Sequence, residues 1–217
     1  MRRKVLLAAV VSALVAVVLA DVAGAARHRH RAAPACKRLA GKHPVAASRG
    51  IYVFSKANGN FYVCSGRGTV RLLPNQSGGL DDQLGTFVIA GTFLAWVDTS
   101  LIDPVAPVND YVDVMNVKTG KLVVNSVLSW PPDVPMGNNE TSVMALVLAP
   151  DGSVAWLAGL SAVGGASTGT SAVVLLPVGG AQSTLTQGMN ISGLSATPDG
   201  TTVSWTQNGV PASSPLA

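Results

Sequence analysis

From residue 50 onward, apolar positions recur at every second residue in short runs, and Gly, Pro, Asn, Asp and Ser separate the runs. A period of two over a handful of residues predicts half-buried β-strands, and helical periodicity is hard to find. Aligned on an aromatic residue, four runs share one frame: RGIYVFS with Tyr52 and Phe54, AGTFLAWV with Leu94 and Trp96, DGSVAWLAG with Val154 and Trp156, and DGTTVSWTQ with Val203 and Trp205. A glycine precedes each aromatic by four or five residues: Gly50, Gly91, Gly152 and Gly200. A large ring at a fixed place in each unit predicts that Phe54, Trp96, Trp156 and Trp205 are a repeated core, packed between sheets. In the last run Thr202, Ser204 and Thr206 occupy the other face, so one side of that strand faces water.

A second strand is predicted after each of these. NFYVCSG, YVDVMNVKTGKLVV and SAVVLLPVGGAQSTL fill that place in the first three units, and VPASSPL fills it in the fourth, across Asn208-Gly209. Asn-Gly is a strong hairpin signal because both residues tolerate positive φ. Asp151 and Asp199, each in a Pro-Asp-Gly turn, are read as turn formers. Each unit is therefore an antiparallel meander of three or four short strands, too small to bury its face alone and able to do so against a neighbour. The aromatic spacings are 42, 60 and 49 residues. Two proline-containing inserts, DTSLIDPVAPVND and SWPPDVPMGNNETS, fall in the longest interval and read as surface loops.

The pairs PDG…W and the segment YVDVMNVKTGKLV resemble β-propeller repeats of the WD-like, TolB-type and quinoprotein kinds. The ending WTQNGVPASSPLA, with YVCSGRGTVRLL and VIAGTFLAWV, is similar to uncharacterised exported proteins of actinobacteria. The resemblance covers roughly residues 36–217 and implies an all-β fold of tandem antiparallel β-meander repeats, β-propeller-like, with about four repeats in residues 51–217. It implies no particular activity. Familiar closed propellers have more blades, and the fourth repeat lacks its last strand. One expectation is that the N-terminal arm, held through Cys36, supplies that strand. The quinone ligands of one resembling family cannot be mapped onto this chain, and no cofactor is expected.

The first 25 residues follow the pattern of a signal peptide: Arg2, Arg3 and Lys4, an apolar run from Val5 to Ala20 broken only by Ser12, then the small residues Ala23-Gly24-Ala25. Cleavage there and retention as an N-terminal anchor helix are the two readings, and both place the remainder outside the cytoplasm, secreted or membrane-anchored. Residues 26–50 form a basic arm. Residues 1–50 carry ten Lys or Arg against one acid, whereas residues 51–217 carry five against ten Asp or Glu. The net charge of +4 thus averages a basic arm with an acidic body. A nucleic-acid-binding domain needs a basic face on its folded part, so nucleic acid is not expected as a partner. The arm suits association with a membrane surface or cell-wall polymer. Cys36 and Cys64 are the only cysteines. In an oxidising compartment pairing is expected, the alternative being two buried thiols.

Chemistry is sparse. His28, His30 and His43 all lie in the arm, which disfavours a Ser-His-Asp site. No Cys/His cluster or P-loop motif exists, so neither a metal nor a nucleotide is expected. Loop acids offer the remaining route: Asp103, Asp110 and Asp113 in one insert, Asp133 and Glu140 in the next. Two such carboxylates across a cleft define the alternative function, a carbohydrate-active hydrolase. Trp130, in SWPPDVP, lies outside the repeat frame. It either presents a ring to a sugar or peptide or folds back on the body. The function expected is a non-catalytic extracytoplasmic binding or scaffold module. Its ligand is a carbohydrate, peptide or envelope polymer, with Trp130, Asp103, Asp110 and Asp133 as candidate contacts and self-association open.

Overall fold

A computed structural model describes residues 34–41, 43–66, 68–74, 83–100, 108–137, 139–163 and 166–216. The N-terminal segment expected to be a signal or anchor, the arm up to residue 33, and Asp103 lie outside the described residues. Among the described residues, one short helix, α1 (Pro34–Ala40), precedes fifteen strands. The chain is all-β, and its sheets are built from antiparallel meanders.

The first meander is β1 (Ala46–Ser48), β2 (Ile51–Ser55), β3 (Phe61–Ser65) and β4 (Thr69–Leu72), hydrogen-bonded in that order. The second is β5 (Gln83–Ala90), β6 (Phe93–Ser100), β7 (Asn109–Asn116) and β8 (Lys121–Leu128). The third is β9 (Asn139–Leu148), β10 (Val154–Ala162), β11 (Ser167–Leu176) and β12 (Ser183–Gly188). The second and third merge into one sheet through a single parallel pairing, Asn109 with Thr141. The fourth meander has three strands: β13 (Ile191–Ala196), β14 (Thr202–Gln207) and β15 (Val210–Pro215). The ends of both proline-containing inserts are strand rather than loop: Asp98 to Ser100 complete β6, and Asn139 to Ser142 open β9.

Strand alternation decides which residues meet across each joint. Trp96 and Leu94 of β6 pack with Val53 of β2 and Val63 of β3, between the first and second meanders. Trp156 and Val154 of β10 pack with Val112 and Val114 of β7, between the second and third. Trp205 and Val203 of β14 pack with Leu157 and Val173, between the third and fourth. Each indole thus leans on the preceding meander, and the alternate residues of β6 and β10 meet the following one. This buries both faces of β10, where Val154 to Leu160 are all buried.

The first and last meanders each have a face without a neighbouring sheet, and the sequence treats them differently. Phe54 occupies the aromatic position of the first unit, and the face it shares with Cys64 is covered by α1 through Cys36 and Ala40. Proline suits the first turn of this helix, since the N–H it lacks has no intrahelical partner there. Lys37 and Arg38 in its last turn match the helix dipole. The Cys36–Cys64 disulfide fixes the helix in place. At the other end Ser192 bonds Thr206, and Ser195 bonds Ser204, each at 3.0 Å, on a hydroxyl-rich outer face. Terminal units of a stacked array need such a finish, either a cover or a polar surface.

The described part of the arm, residues 34–41 and 43–50, therefore does not complete the fourth meander. Val45 donates to the Val53 carbonyl, and Ala46 to Ser48 pair with Val53 to Ile51, so its last residues form the first strand of the first sheet instead. The expected strand on β15 is absent among the described residues. The outer edge of β15 is also poorly suited to one. Leu216 N donates inward to Thr201 O at 2.8 Å. Alternation then turns the N–H groups of Ser214, Ala212 and Val210 toward β14, and the nitrogens of Pro211, Ser213 and Pro215 outward. Two of those three outward nitrogens carry no hydrogen.

Candidate functional site

The turns joining the first and second strands of all four meanders come together at one end of the array. Ser48 and Arg49, Ala90 and Gly91, Leu148 and Pro150, and Thr197 and Gly200 border one cavity of about 170 Å³. The packing here is close: a Cβ on Gly91 would lie 2.9 Å from the Pro150 carbonyl oxygen, and one on Gly200 would lie 2.5 Å from Pro150 Cδ. Loops gathered at one end of a rigid sheet scaffold are the usual place for a binding site.

A larger open cleft, about 370 Å³, adjoins this cavity between the first two meanders, and the two share Arg49 and Gly91. It is lined by Ser65, Thr69, Thr92 and Ile51 and by two cationic residues, Arg49 and Lys118. No carboxylate lines either cavity among the described residues. Lys118 sits in the β7–β8 turn, where Asn116 Oδ1 accepts from the backbone N–H groups of Lys118 and Thr119 at 3.1 and 3.2 Å. Arg71 of β4 reaches across the joint and grips that turn, donating to the carbonyls of Val117 at 3.3 Å and Lys118 at 3.1 Å. The KTGK turn thus brings Lys118 to one wall of the cleft.

Arg49 is unusual in its backbone. It and Gly50 connect β1 to β2 with φ of 47° and 82°, both in the left-handed region, as a two-residue type I′ turn requires. Among the described residues the other turn of this kind is Asn208-Gly209, with φ of 52° and 79°. Asparagine is favoured at the first of these positions; a long side chain such as arginine costs about 1 kcal/mol or more there. Among the described residues the guanidinium of Arg49 has no hydrogen-bond or ion-pair partner, so no local contact offsets the strain.

A second polar group lies deep in the joint between the first two meanders. Asp113 pairs across from Trp96, and Asp98 from Tyr111, on the face that holds the Trp96 indole. Asp113 is 0 % exposed. One of its oxygens accepts from Ser126 N at 2.8 Å and the other has no partner, nor has Trp96 Nε1. Burial raises the carboxyl pKa from 3.8 to about 6, the Ser126 bond opposes the rise, and the neighbouring Asp98 charge adds to it. A raised native pKa means that the folded state keeps a proton that the unfolded state has released. This contribution is therefore fully present below about pH 4 and is lost as pH climbs to about 6. At about 1.4 kcal/mol per pKa unit, the loss is of order 3 kcal/mol. Asp113→Asn is expected to match wild type in denaturant melts near pH 4 and to exceed it above pH 6. Parallel curves across that range would remove Asp113 from the account.

The candidate contacts fall elsewhere. Trp130 is 1 % exposed and belongs to the core between the second and third meanders, so it presents no ring to a ligand. Its Nε1 donates to Val134 O at 3.2 Å, and Trp156 Nε1 donates to the preceding carbonyl, Ser129 O, at 2.6 Å, so the proline-rich loop folds back onto the body. Asp110 is a clamp and not a free ligand group: it accepts from Thr99 Oγ1 at 2.6 Å and Val143 N at 2.7 Å, tying β7 to β9. Asp133 is exposed, bonded to Thr184 Oγ1 at 3.0 Å, and lines neither cavity. Asp103 lies outside the described residues, as do His28 and His30; His43 is exposed. The cleft residues Arg49 and Lys118 were missed by the sequence reading. The signal available was an arginine where an RG turn favours asparagine.

Compared with known proteins, the chain matches no family model and no curated protein.

Proposed function

We propose that the chain is a non-catalytic extracytoplasmic binding or scaffold module, a β-propeller-like array of four meander blades with the turn-end cleft as its ligand site. The observation that carries this reading is the convergence of equivalent turns from all four meanders on one depression that opens into the larger cleft. In a blade array that end is where loops from separate sheets can contact one ligand together. The Cys36–Cys64 bond and the signal-like first segment support an oxidising, extracytoplasmic setting. Among the described residues no helix is long and apolar enough to cross a membrane. The basic arm adds attraction toward anionic lipid or wall polymer. Of the loop acids, Asp110, Asp113, Asp133 and Glu140 are described and none lines either cavity, so neither cavity supports the hydrolase alternative.

The test is a ligand screen of the full-length chain by thermal shift, covering oligosaccharides, peptides and envelope polymers. Thr92→Trp fills the cleft from the β5–β6 turn and is expected to remove the stabilisation given by every hit. Hits that persist in Thr92→Trp place the ligand elsewhere and end this reading.

A further inference from the structure

We infer that the cleft is an oxyanion site: it takes a phosphate or carboxylate group borne on its ligand, with Arg49 as the principal contact and Lys118 as the second. The inference rests on the cleft being the ligand site and adds the chemistry of what it holds. Three observations carry it. Both cations line one cleft, with no acid in its walls to neutralise them. Arg49 has no partner among the described residues, and it is the one charged residue that lines both cavities. Its backbone is left-handed at φ 47°, where the other turn of the same type among the described residues has asparagine. A strained residue with no local reward is a pointer to function. A guanidinium is the group suited to a planar or tetrahedral oxyanion, since its forked N–H groups bind two oxygens at once. Ser65, Thr69 and Thr92 line the same space and are hydroxyl-bearing residues, able to add donors. Arg71 is a positioning residue, since its guanidinium is spent on the carbonyls of the Lys118 turn.

The decisive variant is Arg49→Asn. Asparagine suits a type I′ turn, so this change is expected to raise the melting temperature by about 2 °C or more while it abolishes the site. A residue with a purely structural role cannot give that pair of results. Full-length wild type, Arg49→Asn and Lys118→Met are titrated with inorganic phosphate, with a glycerol-phosphate oligomer and with an oligogalacturonate, and followed by calorimetry and amide chemical shifts. Wild type is expected to bind, more weakly as salt rises. Arg49→Asn is expected to lose at least tenfold in affinity and Lys118→Met several-fold, with wild-type shifts confined to the cleft turns. The glycerol-phosphate and galacturonate arms distinguish a phosphodiester from a uronate source, and the tighter of the two names it. Affinity for all three anions within twofold of wild type in Arg49→Asn overturns the inference. Neutral oligosaccharide binding that Thr92→Trp abolishes and Arg49→Asn leaves intact also overturns it, while the cleft would survive as a site. Hits that survive Thr92→Trp defeat the cleft itself.

Discussion

Trp156→Ala is expected to lower stability by about 4 kcal/mol, the usual range for removing a fully buried indole. The ring is 0 % exposed, sits in the joint between the second and third meanders, and lies between Leu146 on β9 and Val174 on β11. Its Nε1 also donates to Ser129 O, so truncation leaves that carbonyl unpaired in the core, a further cost of about 1 kcal/mol or more. For a domain of this size each kcal/mol is worth about 2–4 °C in Tm, so a fall of roughly 10 °C or more is expected. Trp156→Phe separates the two parts, since it keeps most of the apolar area and loses only the hydrogen bond; it is expected to cost about 1–2 kcal/mol. A Trp156→Ala protein that melts within a few degrees of wild type would show that the joints do not depend on their indoles. Trp130→Ala belongs with this core series because that ring is buried too, and so it is a poor probe of ligand contact.

Reduction of Cys36–Cys64 is expected to be the next largest effect, about 3.5 kcal/mol for a loop of 28 residues in the chain-entropy description. The consequence is local as well as global. The bond holds α1 against Phe54 and Tyr62, and Tyr62 also stacks on Phe54 at 5.9 Å between ring centroids. Loss of the cover opens the aromatic face of Tyr52, Phe54 and Tyr62, which has no sheet against it among the described residues. Thermal melts with and without a phosphine reductant measure the stability term, and hydrogen exchange at β2 and β3 measures the local one. Fast exchange confined to the first meander is expected after reduction. A Tm unchanged under complete reduction would mean that packing alone keeps the helix in place.

Much of this architecture could be read from the alternation of side chains. The strands of the four aromatic runs, the Thr202-Ser204-Thr206 face and the Asn208-Gly209 hairpin each express a local rule that nothing in the tertiary structure overrides. Phe54, expected between sheets like the three indoles, packs under α1 instead, because the first meander has no described sheet on that side. The role of the arm was harder to read. Residues 34–50 are basic and polar enough to pass for a tether, and only the pairing of Ala46 to Ser48 with β2 and the reach of Cys36 make them part of the first sheet. Trp130 and Asp110 misled for one reason: both stand in or beside proline-containing segments, and composition cannot say whether such a segment faces solvent or fills a joint. Asp110 meets Val143 from a different meander, a contact 33 residues away in sequence. The cleft was the least legible feature, because its walls come from turns far apart in the chain and its main cation is marked only by a backbone angle.

The two prolines of β15 bear on how the molecule behaves in a crowd. An open sheet margin is a template on which identical chains add strand to strand, the first step toward fibrils. With Pro211 and Pro215 turned outward, an incoming chain finds a single amide hydrogen, that of Ser213, along the span from Pro211 to Pro215. The fourth meander can therefore present an open margin among the described residues and still resist stacking into aggregates.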